Sequence, residues 1–193
     1  MIPIDADAEL MLRVKTGDTG AFRELVERHQ RSVIRTIRRS IGDAWEAEDL
    51  AQRVFIQVYR SARRYQPTAK FTTWLFTIVH HTVLNERRRR ARHAADSLEA
   101  LQEPRDADEA GAQIADARAI DPAREAAERE LRGKLQDAVQ QLPPPQRTAV
   151  ILCRFEGWSY EEIARVLHCS VPAVKSLLHR ARVTLKEKLS GYY

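Results

Sequence analysis

The sequence predicts an all-α protein: two small helical bundles joined by a flexible acidic linker, the C-terminal bundle containing a helix-turn-helix. Three observations predict it. Apolar residues recur at helical spacing through most of the chain, and no stretch alternates as a strand would. Charge falls into blocks, net +7 over residues 1–95, −6 over 96–125 and +4 over 126–193, within a total of +5. The acidic block is poor in large apolar residues and contains Pro104, Gly111 and Pro122, a composition that does not close a core. The expected division is therefore 1–95, 96–125 and 126–193.

Residues 1–8 read as a frayed terminus, followed by a short helix from Glu9 to about Val14. Gly17-Asp18-Thr19-Gly20 punctuates the chain, with Asp18 or Thr19 available as a cap. Ala21 to Ile41 is a long helix in which Phe22, Leu25, Val26, His29, Val33, Ile34 and Ile37 share one stripe, and Gly42-Asp43 ends it. Trp45 to Ala62 is the next helix. It is apolar along Leu50, Val54, Phe55, Val58 and Tyr59, and polar along Glu46, Glu48, Asp49, Gln52, Arg53 and Gln57. Arg63 to Lys70 is a basic loop interrupted by Pro67. Phe71 to Arg92 is a third long helix, apolar and aromatic at first, with arginine at five of the six positions 87–92. Arginine near a helix C-terminus is favoured by the macrodipole. Five of them exceed what a helix end uses, which points to phosphate contact.

Ala126 to Leu142 is amphipathic through Leu131, Leu135, Ala138, Val139 and Leu142, and Pro143-Pro144-Pro145 stops it. Arg147 to Glu156 is predicted helical with Val150, Ile151, Leu152 and Phe155 inward, and Gly157 ends it. Ser159 and Glu162 then form an S-x-x-E capping box, opening a helix lined by Ile163, Ala164 and Leu167. The chain turns at His168-Cys169. Ser170 caps a second helix, and Pro172 is tolerated in its first turn, where a backbone N–H has no intrahelical partner. Val171, Val174, Leu177, Leu178, Ala181 and Leu185 should face inward, leaving Ala173, Lys175, Ser176, His179, Arg180, Arg182 and Lys186 outward. A short, basic, hydrogen-bonding face on the second helix of a helix-turn-helix fits a DNA major groove.

Other function classes are disfavoured. The two cysteines, Cys153 and Cys169, have no metal-ligand spacing and make no disulfide framework, so neither metal nor cofactor is expected. No apolar run is long enough to cross a membrane, and Asp5, Asp7 and Glu9 do not suit a secretion signal. A cytoplasmic location without membrane insertion is the expectation. A nuclease would have to use His80, His81 or His29 with Asp49. Paired histidines without a carboxylate cluster make a poor active site, and a non-enzyme is expected. Two basic blocks suit a polyanion, whose counterions are released as Lys and Arg neutralise phosphates. A repressor or activator with a C-terminal helix-turn-helix is the rival reading. It accounts for residues 142–189 but not for the polar face of 46–61 or the basic end of the third helix.

The order of these features resembles a bacterial RNA polymerase sigma factor of the small extracytoplasmic-function (ECF) group of the sigma-70 family, over residues 9–93 and 126–189. The likeness is carried by AFRELVERHQ (21–30), EAEDLAQRVFIQVYRS (46–61), FTTWLFTIVHHTVLNERRRR (71–90) and LPPPQRTAVILCRFEGWSYEEIARVLHCSVPAVKSLLHRAR (142–182). Three positions depart from the common pattern. Arg53 stands where an acidic residue is usual after D-x-x-Q, His81 where Asn is frequent, and His168 where Gly or another residue tolerant of positive φ is usual.

The resemblance implies partners and site residues. The helix with Glu46, Asp49, Gln52, Arg53 and Gln57 would dock on the clamp helices of core RNA polymerase. The loop and helix carrying Arg63, Arg64, Tyr65, Lys70, Thr72, Thr73, Thr77, His80 and His81 would open and read the −10 element of promoter DNA, with Arg87 and Arg88 on phosphates. Ala173, Lys175, Ser176, His179, Arg180 and Arg182 would read the −35 element, with Arg165 and Arg182 assigned to backbone or surface roles. Trp74, Leu75 and Ile78 are expected in the core, and Phe71 fits either place. An anti-sigma factor, common among family members, is implied as a further partner.

Overall fold

The structure, a computed structural model, describes residues 5–98 and 122–190. Eight α-helices make up these residues: α1 (Ala6–Lys15), α2 (Thr19–Ile41), α3 (Ala44–Ser61), α4 (Phe71–Leu98), α5 (Pro122–Gln140), α6 (Pro144–Val150), α7 (Tyr160–Val166) and α8 (Val171–Leu189). No strand occurs among the described residues. Most of the predicted linker, residues 99–121, lies outside them. None of the described helices is long and apolar enough to cross a membrane.

Local chemistry places most helix starts. Asp5, Asp18 and Asp43 cap α1, α2 and α3 by accepting from the backbone N–H of Ala8, Ala21 and Glu46. The second oxygen of Asp5 accepts from the N–H of Phe71, 3.0 Å away, so one carboxylate fixes the starts of both α1 and α4. The capping box of Ser159 and Glu162 is formed on α7, and Ser170 caps α8. Each such cap contributes about 1 kcal/mol. Gly42 ends α2 at φ +84°, a left-handed conformation in which a Cβ is strained.

Four helices differ from their predicted bounds by three residues or more. α1 starts at Ala6 rather than Glu9, and α5 runs Pro122–Gln140 rather than 126–142. α4 runs on to Leu98, supported by Glu86 pairing with Arg89 and Arg90 along the helix. The helix predicted over 147–156 stops at Val150 and widens into a π turn over Ile151–Phe155. The extra residue in that turn rotates the next side chains around the helix axis. Phe155, expected inside, is 40% exposed, and the Arg39 guanidinium lies over its ring at 4.4 Å. Tyr59, also expected on an apolar face, is 49% exposed.

The main core joins the two sets of helices. Leu25, Val33 and Ile37 of α2, Leu50, Val54 and Val58 of α3, and Leu75, Phe76 and Val79 of α4 belong to one buried cluster with Leu152, Ile163, Val166 and Val174. Each large apolar side chain so buried contributes roughly 1.5–3 kcal/mol. A second, smaller cluster of Leu142, Val150 and Ala181, with Leu178 and Leu185 against it, holds α8 onto α6. Arg147, 2% exposed, ties the seam. It donates to the carbonyls of Val139 at 3.0 Å and Ser40 at 3.3 Å, and to those of Gln140 and Leu142.

Candidate nucleic-acid interface

The second helix of the helix-turn-helix presents the face its periodicity predicts. Val174 and Ala181 are buried, while Lys175, His179, Arg180, Arg182 and Lys186 are exposed, with Ala173 and Ser176 half-buried between them. No ion pair within the described residues engages Lys175, Arg180 or Arg182, so their charge faces outward. The turn that aims α8 is made at His168, φ +50°, the one non-glycine residue of positive φ among those described. The short α7 comes first, and Arg165, on its last turn, is exposed.

The loop before α4 begins with a 3₁₀ turn, Ala62–Arg64, on which Arg63 and Arg64 are exposed. Burial separates the other residues expected at this site. Tyr65 is 2% exposed, against the rings of Phe71 and Trp74, with its hydroxyl unpartnered. Desolvation pushes that phenol up to about 12. Thr73 is 3% exposed, and its hydroxyl too lacks a partner. Neither side chain is open to a base in this conformation: Tyr65 is packed among aromatic rings and Thr73 lies on the inner face of α4. Phe71 is fully buried, Leu75 is core, and Trp74 and Ile78 pack half-buried against it.

Along α4, Thr72 and Thr77 are half-buried, and the Thr77 hydroxyl donates to the Thr73 carbonyl at 2.8 Å. His80 shares a hydrogen bond with the Thr148 hydroxyl at 3.1 Å, and burial, followed by the nearby His81 and His168, pushes its pKa down to about 4. His81 is exposed and stacks on His168, with ring centroids 6.0 Å apart. Lys70 pairs with Glu162 at 2.8 Å. Arg88 is exposed, but Arg87, predicted on phosphates, is half-buried and donates to the Ser40 carbonyl at 3.2 Å. It caps the end of α2 instead.

On α3, Asp49, Gln52, Arg53 and Gln57 are exposed, beside the exposed apolar side chains Ile56 and Tyr59. Glu46 is half-buried and paired with Arg90. Between α2 and α3 runs an apolar groove lined by Phe22, Val26, Ile34, Phe55, Ile56 and Tyr59. A second apolar groove, lined by Val150, Cys153, Tyr160, Leu178 and Leu185, crosses the C-terminal bundle.

Three polar residues that the sequence reading missed organise the surroundings. Glu86 has a side chain 3% exposed, with Arg89 at 2.6 Å and Arg53 and Arg90 each at 3.7 Å. A lone acid preceding an arginine run was its signal. Glu156 and Arg147 gave none: the partners of Glu156 and the Ser40 partner of Arg147 lie over a hundred residues away, and the nearer carbonyls that Arg147 meets are main-chain groups with no sequence mark.

Family comparison joins these faces. The sigma-70 region 2 family matches residues 25–93 and the sigma-70 region 4 family matches residues 132–185, in that order. The chain is also 35% identical to the RNA polymerase sigma-H factor of Pseudomonas aeruginosa over 98% of its length and 96% of that protein's. The chain belongs to the sigma-70 family, in its ECF group. The RNA polymerase sigma factor CarQ of Myxococcus xanthus is 35% identical over 93% of this chain and 95% of its own, and the ECF sigma-E factor of Escherichia coli is 31% identical over 95% and 94%. Among solved structures, CnrH in complex with the cytosolic domain of CnrY superposes with a TM-score of 0.68 at 24% identity, covering 98% of this chain and all of that one. RpoE of Bartonella quintana, in complex with the anti-sigma factor NepR, does so at 0.66 and 23%, covering 89% and 98%. Both share the fold.

As a sigma factor the chain serves promoter-specific initiation by RNA polymerase. Two of its departures from the common pattern have local physical reasons. An acid in place of Arg53 would meet the buried Glu86 carboxylate, so the arginine matches the charge behind it. His168 adopts the positive φ that its turn requires.

Proposed function

We propose that this sigma factor docks on core RNA polymerase through the exposed face of α3, reads the −35 element with α8, and reads and holds open the −10 element with the loop 63–70 and α4. The observation that carries the reading is the pairing of two regions in fixed order, 25–93 and 132–185, with an exposed and unpaired basic face on α8.

The chemistry comes from the side chains. Lys175, Ser176, His179 and Arg180 are spaced to meet base edges in the major groove, with Arg182 and Lys186 toward phosphates. Promoter opening needs a factor that binds the exposed strand better than the duplex, since an equilibrium shifts only by differential affinity. Arg63, Arg64, His81 and Arg88 are placed to hold that strand. Tyr65 and Thr73 are buried behind the −10-reading face and support it. On this reading the chain is two promoter-reading domains, 1–95 and 126–193, with 96–125 as tether. Polymerase fixes their separation and so raises the effective concentration of each reader. The chain supplies no bond-breaking chemistry, needs no cofactor and works in the cytoplasm. The apolar groove between α2 and α3 suits an inhibitory anti-sigma partner that competes with polymerase for α3.

Permanganate footprinting tests the melting step. Core polymerase carrying this chain should expose thymines around −10 that core alone leaves paired; no such reactivity at promoters where the complex binds would contradict it.

A further inference from the structure

One carboxylate carries much of the polar contact between the two sets of helices. Glu156 comes directly after the π turn, and its side chain is 5% exposed. Helix α2 offers it four donor side chains at successive helical positions. They are the Ser32 hydroxyl at 2.9 Å, Arg35 at 3.0 Å through Nη2 and 3.3 Å through Nε, the Thr36 hydroxyl at 3.2 Å and Arg39 at 3.3 Å. Burial raises the Glu156 pKa, and hydrogen bonds from Arg35, Ser32 and Thr36 more than reverse this, so its carboxyl is held below the usual range and is ionised at neutral pH.

The seam that this contact closes covers the −10 side. Trp158 packs on Phe76 with ring centroids 4.9 Å apart, Thr148 holds His80, and Glu162 holds Lys70. The remaining cleft has Thr73 and Thr77 on one wall and Arg165, His168 and Cys169 on the other. A nucleic-acid strand cannot lie along Thr77 and His80 while these contacts stand. The α8 face, in contrast, remains exposed.

We infer that Glu156 is the latch of a closed resting state in which the chain covers its own −10-reading face, and that this carboxylate leaves the α2 cradle before a DNA strand engages α4. The inference rests on the promoter-reading assignment above. Apolar packing alone would hold the helices together without direction. A desolvated carboxylate among four donors has two distinct resting places, the cradle and water. The donors it vacates, two guanidiniums and two hydroxyls, are of the kind that bind phosphate oxygens, so DNA can replace what opening removes.

Two single variants of the full chain open the latch from opposite sides. Glu156→Gln removes the charge from the carboxylate, and Ser32→Asp sets a second carboxylate against it. The first makes the net charge more positive and the second more negative, so a common gain in DNA affinity cannot come from net charge. Affinity is read with a short labelled single-stranded DNA of mixed sequence, and size by small-angle X-ray scattering. If the open state is about a tenth of the population, full opening raises affinity about tenfold, and the radius of gyration should rise in both variants. Ser32 is half-buried at the seam, so Ser32→Asp retains the core if Glu156→Gln melts. A variant that is folded by circular dichroism but unchanged in affinity and radius overturns the latch. Failure of the wild-type chain to bind core polymerase would instead overturn the sigma reading, and the comparison of variants separates the two.

Discussion

The His80 imidazole on α4 lies 3.1 Å from the Thr148 hydroxyl on α6, so a residue assigned to the −10 element is hydrogen-bonded to the opposite bundle. Burial, then the proximity of His81 and His168, lowers its pKa from 6.5 to about 4. Between those values the unfolded chain binds more protons at this site than the folded chain. The stability contributed by neutral His80 is therefore complete above the unfolded value and is lost as pH falls through the window. Urea unfolding at pH 7.5 and pH 5.5, where most carboxylates stay ionised, should show the wild type weaker at the lower pH. His80→Gln should flatten that dependence, and an identical slope in the variant would contradict it.

Arg53 and Glu86 give a second test. The Glu86 carboxylate is nearly sealed, and Arg53 reaches it from α3 while also pairing with Asp49 at 2.6 Å. Arg53→Glu should lower the unfolding free energy by about 1–2 kcal/mol, through the lost pairs and a new like-charge contact. Because Arg53 and Asp49 are each 54% exposed, the share of the loss that comes from their pair should shrink as salt rises. Thermal denaturation across an ionic-strength series measures both.

Arg147 is the polar staple of the fold. Substitution by Met keeps an unbranched apolar stem but leaves four carbonyl acceptors, on Ser40, Val139, Gln140 and Leu142, without their donor. A loss of about 3 kcal/mol or more is expected. Arg147→Lys should recover only part of it, since one ammonium cannot reproduce the planar fork. Denaturant titration monitored by circular dichroism ranks the three proteins.

These contacts also mark the limit of what the sequence discloses. The Ser159–Glu162 box, the Ser170 cap, the αL turn at His168 and the outward set on α8 are all legible, because each depends on neighbours within a helical turn. The apolar stripes of α2 to α4 are legible for the same reason. Glu156 and Arg147 are not: their partners on α2 lie over a hundred residues earlier, and no periodicity links them. Tyr65 and Thr73 are placed at the −10 element by resemblance, and their burial, Tyr65 against the Phe71 and Trp74 rings, has no marker in the surrounding sequence. Phe155 was misplaced by a π turn, which has no marker in an apolar run.

On α8, roles should separate by salt. Arg180→Ala should cost about 1–3 kcal/mol at promoters with a preferred −35 base pair and relax preference there. Lys186→Ala should weaken all duplexes alike and reduce the salt slope by about one. Fluorescence anisotropy of the polymerase complex on matched and mismatched duplexes, over a salt range, distinguishes them.

The most direct measurement is reconstituted transcription by bacterial core polymerase on a promoter library, with and without this chain. Initiation should depend on the chain and occur at a shared −35 and −10 pair, and should be lost when the α8 face is replaced by alanine. No initiation, together with no complex between chain and core, would contradict the promoter-reading assignment.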